Sequence, residues 1–161
     1  MIHLIVGNTG SGKTTYCNQL KCQNKGIIFS IDTWNKTLFL SDKKETDGLE
    51  WFLERIDRAE EMIKNLILQL ENAGRDSILD LGLSKFSHRE KFRKFASDNK
   101  LEIQLHYLNL SKEERWQRIL KRNAEKGVTY EFDVTLEDFN FMENWFEQPT
   151  DLELNEAIII S

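Results

Sequence analysis

Five short apolar runs rich in β-branched residues alternate along this chain with stretches whose apolar residues recur at helical spacing. The runs cover residues 2–6, 27–31, 78–81, 103–108 and 157–160. Strands that alternate with helices in this way are typical of a parallel sheet with helices on both faces. The chain has 161 residues, of which 40% are apolar and 30% charged, and this is the size and composition of one globular domain. The alternation therefore predicts a single α/β domain over residues 1–161.

The stretch between the second and third runs has the most regular helical pattern. Its apolar residues recur at spacings of three and four, namely Leu49, Phe52, Leu53, Ile56, Ala59, Met62, Ile63, Leu66, Ile67 and Leu70. This spacing predicts an amphipathic helix that packs one face against the sheet. Helix starts are indicated where a short polar residue precedes an acidic one by three positions, at Asp47/Glu50, Ser87/Glu90, Ser111/Glu114 and Thr135/Asp138.

Charge and hydropathy argue against several classes of protein. The formal net charge is -5, which disfavours a general nucleic-acid binder because such binding depends on clustered Lys and Arg. No apolar run approaches the ~20 residues of a membrane span, and the first residues lack the basic flank of a secretory signal. We therefore expect a cytoplasmic protein with no membrane partner. Cys17 and Cys22 point to different faces of one helix and are expected to stay free thiols.

The first run leads into Gly7-Asn8-Thr9-Gly10-Ser11-Gly12-Lys13-Thr14, which matches the pattern G-x-x-x-x-G-K-[ST]. Glycines at these positions let backbone amides curl around an anion, and the following helix presents its unpaired N–H groups to the same anion. The lysine of the pattern, Lys13, reaches the β- and γ-phosphates, and the Thr14 hydroxyl is a Mg²⁺ ligand. We therefore predict a site for ATP and Mg²⁺. The predicted nucleotide-binding residues are Gly7, Asn8, Thr9, Gly10, Ser11, Gly12, Lys13, Thr14 and Thr15.

The phosphate loop at residues 7–14 indicates a nucleoside triphosphate without indicating the reaction. The segment Asn35-Lys36-Thr37-Leu38 lacks the aspartate of the N-K-x-D pattern that reads guanine. The chain is also too short for the core of a large motor ATPase. A small kinase or phosphotransferase is the leading class.

Two carboxylates follow predicted strands. Asp32 directly follows the second run, and Asp80 lies near the end of the third. The carboxyl ends of parallel strands meet at one edge of the sheet, so both are expected beside the loop. Asp32 is predicted to accept the proton of an acceptor hydroxyl, with a helix N-cap for residues 33–40 as the alternative. Asp80 is predicted to support Mg²⁺ near Thr14, with a turn residue before Gly82 as the alternative.

An arginine-bearing helix follows the fourth run and leads into a polar segment. A predicted lid covers about residues 122–134. Lids of this kind close over a nucleotide and neutralise charge on the transferring phosphoryl group. Arg122 is the first candidate for that catalytic role, and Arg118, one turn earlier, is the second. The alternative is a solvated basic face paired with Glu113 and Glu114.

Two further side chains leave alternatives open. Trp34 follows Asp32 closely and either lines an acceptor pocket or packs in the core. His106 lies within the fourth apolar run. A core or site-lining histidine is expected there rather than a catalytic acid or base.

The sequence combines the phosphate loop with Ile31-Asp32-Thr33-Trp34, Asp80-Leu81-Gly82, Arg118-x-x-x-Arg122-Asn123 and a late Phe146-Glu147-Gln148-Pro149. In this order, nearly end to end, the chain resembles the AAA-domain predicted-kinase family of small P-loop proteins. Chloramphenicol phosphotransferases, zeta toxins and the kinase half of polynucleotide 5′-hydroxyl kinases are similar to the same group.

This resemblance implies a three-layer P-loop NTPase fold with a five-stranded parallel sheet in the order 2-3-1-4-5. It also implies ATP·Mg²⁺ as the phosphoryl donor, Asp32 as the base and Arg122 as the lid arginine. Polynucleotide kinases tend to carry a substrate-binding arginine three positions after the base, and that position is Asn35 here.

The main hypothesis is an enzyme that moves the γ-phosphate of ATP to a hydroxyl of a small molecule. Lys13, Asp32, Arg122 and Arg118 are its predicted catalytic residues, and Thr14 and Asp80 its predicted metal ligands. The alternatives are a P-loop ATPase or nucleotide-binding switch that acts on a protein partner, and a polynucleotide 5′-hydroxyl kinase. The acceptor and the oligomeric state stay open at this point.

Overall fold

The computed structural model describes residues 1–127, 130 and 133–161, and its centre is a five-stranded sheet. The strands are β1 (Ile2–Val6), β2 (Ile27–Ser30), β3 (Ser77–Asp80), β4 (Ile103–Leu108) and β5 (Ile158–Ile160). Their order is β2-β3-β1-β4-β5, and each neighbouring pair is parallel. This confirms the α/β class and the strand order that the resemblance implies.

Helices connect these strands. They are α1 (Lys13–Asn24), α2 (Ile31–Trp34), α3 (Leu49–Asn72), α4 (Phe86–Asp98), α5 (Lys112–Glu125), α6 (Leu136–Trp145) and α7 (Asp151–Asn155). After α2 the chain continues through a π-helical turn at Asn35–Phe39 and a 3₁₀ turn at Leu40–Asp42. Within the described part of the chain, no helix is both long enough and apolar enough to cross a membrane.

The side chains of β1 alternate between two hydrophobic clusters on opposite faces of the sheet. Leu4 and Val6 belong to the larger cluster, which includes the buried apolar residues of α3 and α4. Ile5 belongs to the smaller cluster, together with Cys17 of α1. The sheet thus separates α3 and α4 from α1, which gives three layers. Cys17 is buried and Cys22 is exposed, and both are free thiols, as predicted.

The apolar stripe of α3 is only partly buried. Ala59, Ile63 and Ile67, in the middle and second half of the helix, pack into the larger cluster. In contrast, Leu49, Leu53 and Met62 are exposed. The prediction that the whole stripe faces the core is therefore wrong for these three residues.

Capping boxes begin three of the described helices. They are Ser111/Glu114 at α5, Thr135/Asp138 at α6 and Thr150/Glu153 at α7. The first two confirm the sequence prediction, and the third was not predicted. In each box the hydroxyl accepts from a backbone amide of the first turn and the carboxylate accepts from the N-cap amide.

The caps predicted at Asp47 and Ser87 are wrong. The N-cap of α3 is Gly48, and Asp47 instead accepts a bond from a backbone amide three residues earlier, at 2.8 Å. Ser87 lies inside α4, which begins at Phe86. The first turn of α4 is capped from a distance, because the Phe86 amide donates to the carboxylate of Glu147 at 2.8 Å.

A buried ion pair holds the end of the chain against the rest of the domain. Arg89 of α4 is 0% exposed and Glu153 of α7 is 2% exposed. The guanidinium donates to both carboxylate oxygens of Glu153, at 2.6 and 3.1 Å. It also donates to the backbone carbonyls of Leu83, Glu147 and Gln148. One side chain therefore joins α4, α7 and the segment between α6 and α7.

We predict that Glu153→Ala lowers the free energy of unfolding by about 3–5 kcal/mol, because it leaves Arg89 buried without its charged partner. Equilibrium unfolding in urea measures this loss. The matched control is Glu156→Ala, at an exposed position at the end of α7, which should stay within about 0.5 kcal/mol of wild type. Equal midpoints for wild type and Glu153→Ala would show that the pair contributes nothing to stability.

Candidate active site

A cleft of about 730 Å³ lies at the carboxyl edge of the sheet. The phosphate loop forms its floor, and the sequence-predicted residues Asp32, Asp80, Arg118 and Arg122 all line it. The loop residues at the cleft are Gly7, Thr9, Gly10, Ser11, Gly12, Lys13, Thr14 and Thr15. Asn8 is the exception among the predicted nucleotide contacts, because it is buried behind the loop and its side chain bonds Glu143.

The first turn of α1 is prepared for an anion. Its N-cap is Gly12, at φ 91°, and no side chain caps it. The first turn also contains no acidic residue, whereas α5, α6 and α7 each begin with a capping box. The unpaired amides of this turn and the positive end of the helix dipole are therefore left for a ligand.

Glycine is required at two positions of the loop. Gly10 and Gly12 have φ values of 82° and 91°, in the left-handed region that side chains disfavour. A Cβ atom on Gly10 would also lie 2.7 Å from the backbone oxygen of Arg115. The loop is therefore in direct contact with α5 on its outer side.

Lys13 lies across the loop. Its Nζ donates to the carbonyl of Gly7 at 2.9 Å and, more weakly, to that of Asn8 at 3.4 Å. Burial lowers the pKa of Lys13, while the carboxylates of Asp80 and Asp32 oppose this shift. An anion bound at the loop would stabilise the charged ammonium further.

Thr14 and Asp80 form a small oxygen-rich group beside Lys13. The Thr14 hydroxyl donates to Oδ2 of Asp80 at 3.2 Å. A hydroxyl and a carboxylate beside a phosphate site are the protein ligands that suit Mg²⁺, which usually keeps several waters and binds phosphate oxygens as well. The residues present therefore fit a magnesium ion.

Asp32 lies in the first turn of α2, at the rim of the cleft. It does not cap this helix. The N-cap is Ser30, whose hydroxyl accepts from the backbone amide of Thr33 at 3.4 Å. The N-cap interpretation of Asp32 is therefore wrong, and its place in the cleft is compatible with the interpretation as a base.

Arg118 and Arg122 lie one turn apart on α5 and face the cleft together. The Arg118 guanidinium is 3.5 Å from the carbonyl of Ser11. Nε of Arg122 is buried and makes no hydrogen bond among the described residues. Glu114 takes part in the capping box at the start of the same helix. Among the described residues, no ion pair joins Glu113 or Glu114 to either arginine. Both arginines line the cleft, where a phosphate group bound at the loop could contact them.

The segment predicted as a lid is anchored at its two ends. The side chain of Asn123 donates to the carbonyl of Val134 at 2.9 Å and accepts from its amide at 3.3 Å. Val134 also packs against Ile119 of α5 and Phe139 of α6. Part of the predicted lid, residues 128, 129, 131 and 132, lies outside the described residues.

Trp34 packs toward the core rather than into the cleft. It joins the larger hydrophobic cluster and meets Phe29 edge to face, with ring centroids 6.0 Å apart. Side chains from α6 line the cleft instead, namely Asp138, Phe141 and Met142. Sequence reasoning missed these three, since no local motif marks them.

His106 belongs to a hydrogen-bonded chain that begins at the cleft. Tyr16 lines the cleft, and its hydroxyl is 2.8 Å from Nδ1 of His106. Nε2 of His106 is 2.9 Å from Nδ1 of His3, whose Nε2 is 3.1 Å from Asp76. Burial, with a smaller contribution from His3, lowers the pKa of His106 to about 4. His106 is therefore a neutral, hydrogen-bonded histidine below the cleft.

A family model described as AAA domain matches residues 2–149. The chain belongs to this AAA domain family. No curated protein shows significant sequence similarity to it.

Solved structures similar to this AAA domain protein include kinases. Chaetomium thermophilum Kti12 in complex with ADP-AlF3 has a TM-score of 0.68 at 13% identity, over 99% of this chain and 87% of that one. A gluconokinase from Sinorhizobium meliloti 1021 has a TM-score of 0.63 at 13% identity, over 98% of this chain and 79% of that one. Mycobacterium tuberculosis APS kinase CysC, in complex with AMPPNP and APS, has a TM-score of 0.63 at 14% identity, over 93% of this chain and 83% of that one. This AAA domain protein therefore shares the P-loop NTPase fold of these structures.

We predict that the low pKa of His106 makes stability depend on pH. The unfolded chain binds a proton at the ordinary histidine pKa of about 6.5, whereas His106 in the folded protein stays neutral down to about 4. The free energy of unfolding should therefore fall as the pH is lowered from about 6.5 to about 4, by at most about 1.4 kcal/mol per pH unit from this group.

Urea unfolding at a series of pH values measures the slope, and His106→Gln should remove part of it because glutamine does not titrate. An unchanged slope in His106→Gln would assign the pH dependence to other groups.

Proposed function

We propose that this protein transfers the γ-phosphoryl group of ATP to a hydroxyl group of a small molecule. The observation that carries the proposal is that one cleft is lined by the uncapped start of α1, by Lys13, by the candidate base Asp32 and by the two arginines of α5. The AAA domain family and the kinase fold support the same reaction class.

The phosphate loop and Lys13 bind the donor. The amides at the start of α1 and the Lys13 ammonium would hold the β- and γ-phosphates of ATP. Lys13 exchanges its bonds to the loop carbonyls for bonds to phosphate oxygens as the nucleotide enters. This exchange needs no new cation, because the ammonium is already at the centre of the loop.

Thr14 and Asp80 would hold Mg²⁺ beside these phosphates. The ion, when bound, neutralises charge on the phosphate oxygens. Asp80 is fixed at the end of β3, and it is only 9% exposed, so its carboxylate is held at the cleft.

Asp32 would act on the acceptor. As the acceptor oxygen forms its bond to the γ-phosphorus, the bond from that phosphorus to the ADP oxygen breaks, and the hydroxyl proton passes to the Asp32 carboxylate. Arg122 and Arg118 face the same space and would stabilise charge on the transferring group. The net charge of -5 favours a small acceptor over a nucleic-acid end.

We predict that Lys13→Ala abolishes phosphoryl transfer, because the loop loses the cation that contacts the transferring phosphate.

Asp32→Asn should lower turnover by roughly 10²–10⁴-fold, since the amide cannot accept the proton. The same variant should bind ADP·Mg²⁺ nearly as well as wild type. ADP release is measured with ATP·Mg²⁺ alone and with a panel of sugars, sugar acids, nucleosides and aminoglycosides, and ADP binding by calorimetry.

Matched controls for these variants are Lys21→Ala, an exposed position on α1, and Asp42→Asn, an exposed position after α2. Both should retain wild-type turnover. ADP release that is equal with and without every panel compound would make the protein an ATPase. Full turnover in Asp32→Asn with a true acceptor would refute the assignment of the base.

A further inference from the structure

A second, partly buried ion pair joins α5 to α6 beside the phosphate loop. The guanidinium of Arg115, on α5, donates to both carboxylate oxygens of Glu143, on α6, at 2.6 and 2.9 Å. The side chains are 7% and 19% exposed. Paired donors on paired acceptors fix the orientation of both groups, so the Glu143 carboxylate has one defined position.

The same carboxylate holds the phosphate loop. Nδ2 of Asn8 donates to Oε1 of Glu143 at 2.5 Å, and Oδ1 of Asn8 accepts from the Thr9 amide at 2.7 Å. Arg115 also donates to the Thr9 carbonyl at 3.2 Å. The first half of the loop is therefore bound on its outer side by one acid and one base from the second half of the chain.

The backbone of Asn8 belongs to the inner side of the loop. Its carbonyl accepts from the Ser11 amide at 3.1 Å and lies 3.4 Å from Nζ of Lys13. A rotation of Asn8 would therefore shift both the turn of the loop and the lysine that crosses it. Neither Asn8 nor Arg115 nor Glu143 lines the cleft, so any effect of these side chains on a ligand passes through the loop.

Glu143 also follows the residues of α6 that form a wall of the cleft. Phe141 and Met142 line the cleft directly before it, and Asp138 does so one turn earlier. The bond from Glu143 to Asn8 therefore sets the position of this wall relative to the phosphate loop. Glu143 is 135 residues from Asn8 in sequence, and this bond joins α6 directly to the phosphate loop.

We propose that Glu143 is a positioning residue of the phosphate site, which acts through Asn8 and Arg115 to hold the loop in the form that accepts a nucleotide diphosphate group. The inference rests on the nucleotide-binding part of the proposed function and not on the transfer step. Both side-chain oxygens of Glu143 must be acceptors. Oε1 accepts from the Asn8 amide group and from the Arg115 guanidinium, and Oε2 accepts from the same guanidinium, so a carboxylate is required.

The test is ADP·Mg²⁺ binding by the full chain, measured by calorimetry. Glu143→Gln should weaken the binding by roughly tenfold to a hundredfold, the range expected for loss of a hydrogen bond to a charged group. Asn8→Ala removes the bond to Glu143 and the bond from the Thr9 amide, and it leaves Arg115 and Glu143 paired. It should weaken binding to a similar extent without a comparable loss of stability.

The double variant Asn8→Ala/Glu143→Gln separates positioning from a purely structural role. If Glu143 acts through Asn8, the double variant should bind ADP no more weakly than Glu143→Gln alone. The two losses of binding affinity are then non-additive, and a general loss of stability does not produce this result. The matched control is Glu137→Gln, at an exposed position on the same helix, which should bind as wild type.

Several outcomes would overturn the inference. Wild-type ADP affinity in Asn8→Ala would do so, as would a Glu143→Gln variant that is less stable but binds ADP normally at a temperature where it is folded. Strictly additive losses would also exclude action through Asn8. If the wild-type protein itself binds no ADP, the nucleotide site fails and this inference fails with it, whereas ADP binding without phosphoryl transfer refutes only the proposed reaction.

Discussion

The unpaired backbone amides at the start of α1 are the constraint on which the rest of the site depends. A helix start without a side-chain cap leaves several N–H groups unsatisfied, and their free energy is recovered only by water or an anion. In three other helices, α5, α6 and α7, a serine or threonine and an acidic residue form a capping box that satisfies such amides. In α1 the sequence instead supplies Gly12 and Lys13. The start of α1 therefore lacks the stabilising hydrogen bond of a side-chain cap, and its amides can bind an anion instead.

The position of α1 in the sheet makes these amides useful. β1 is the central strand, with β3 on one side and β4 on the other. The carboxyl ends of all three strands therefore surround the loop that follows β1. Asp80 from β3 and the arginines of α5, which follows β4, arrive beside the loop for the same reason. Lys13, Arg118 and Arg122 therefore line the same cleft as the carboxylates of Asp32, Asp80 and Asp138.

Two ion pairs formed by the second half of the chain hold elements together that are distant in sequence. Arg89 with Glu153, and Arg115 with Glu143, are both guanidinium–carboxylate pairs with additional bonds to backbone carbonyls. Such pairs are costly to bury unless every donor is satisfied. Here they join elements that are distant in sequence, and they hold the last helices against α4 and the phosphate loop. We infer that they specify where these helices lie more than they add to stability.

The sequence by itself determined the features that depend on local chemistry. The alternating runs, the phosphate loop, the capping boxes at Ser111 and Thr135 and the presence of Asp32, Asp80 and Arg122 in one cleft could all be predicted. Each of these follows from neighbouring residues or from the rule that parallel strands end at one edge of a sheet. The strand order was available only through resemblance, since many orders satisfy the same alternation.

The tertiary structure alone decided the contacts between distant residues. Glu147 caps α4 in place of Ser87, Trp34 packs on Phe29, and Glu143 holds Asn8 behind the phosphate loop. No spacing along the chain marks these partners, because the energy of a hydrogen bond or ion pair depends on distance in space. The contact between Glu143 and Asn8, which are 135 residues apart in sequence, is therefore decided by the tertiary structure and could not be predicted from the sequence.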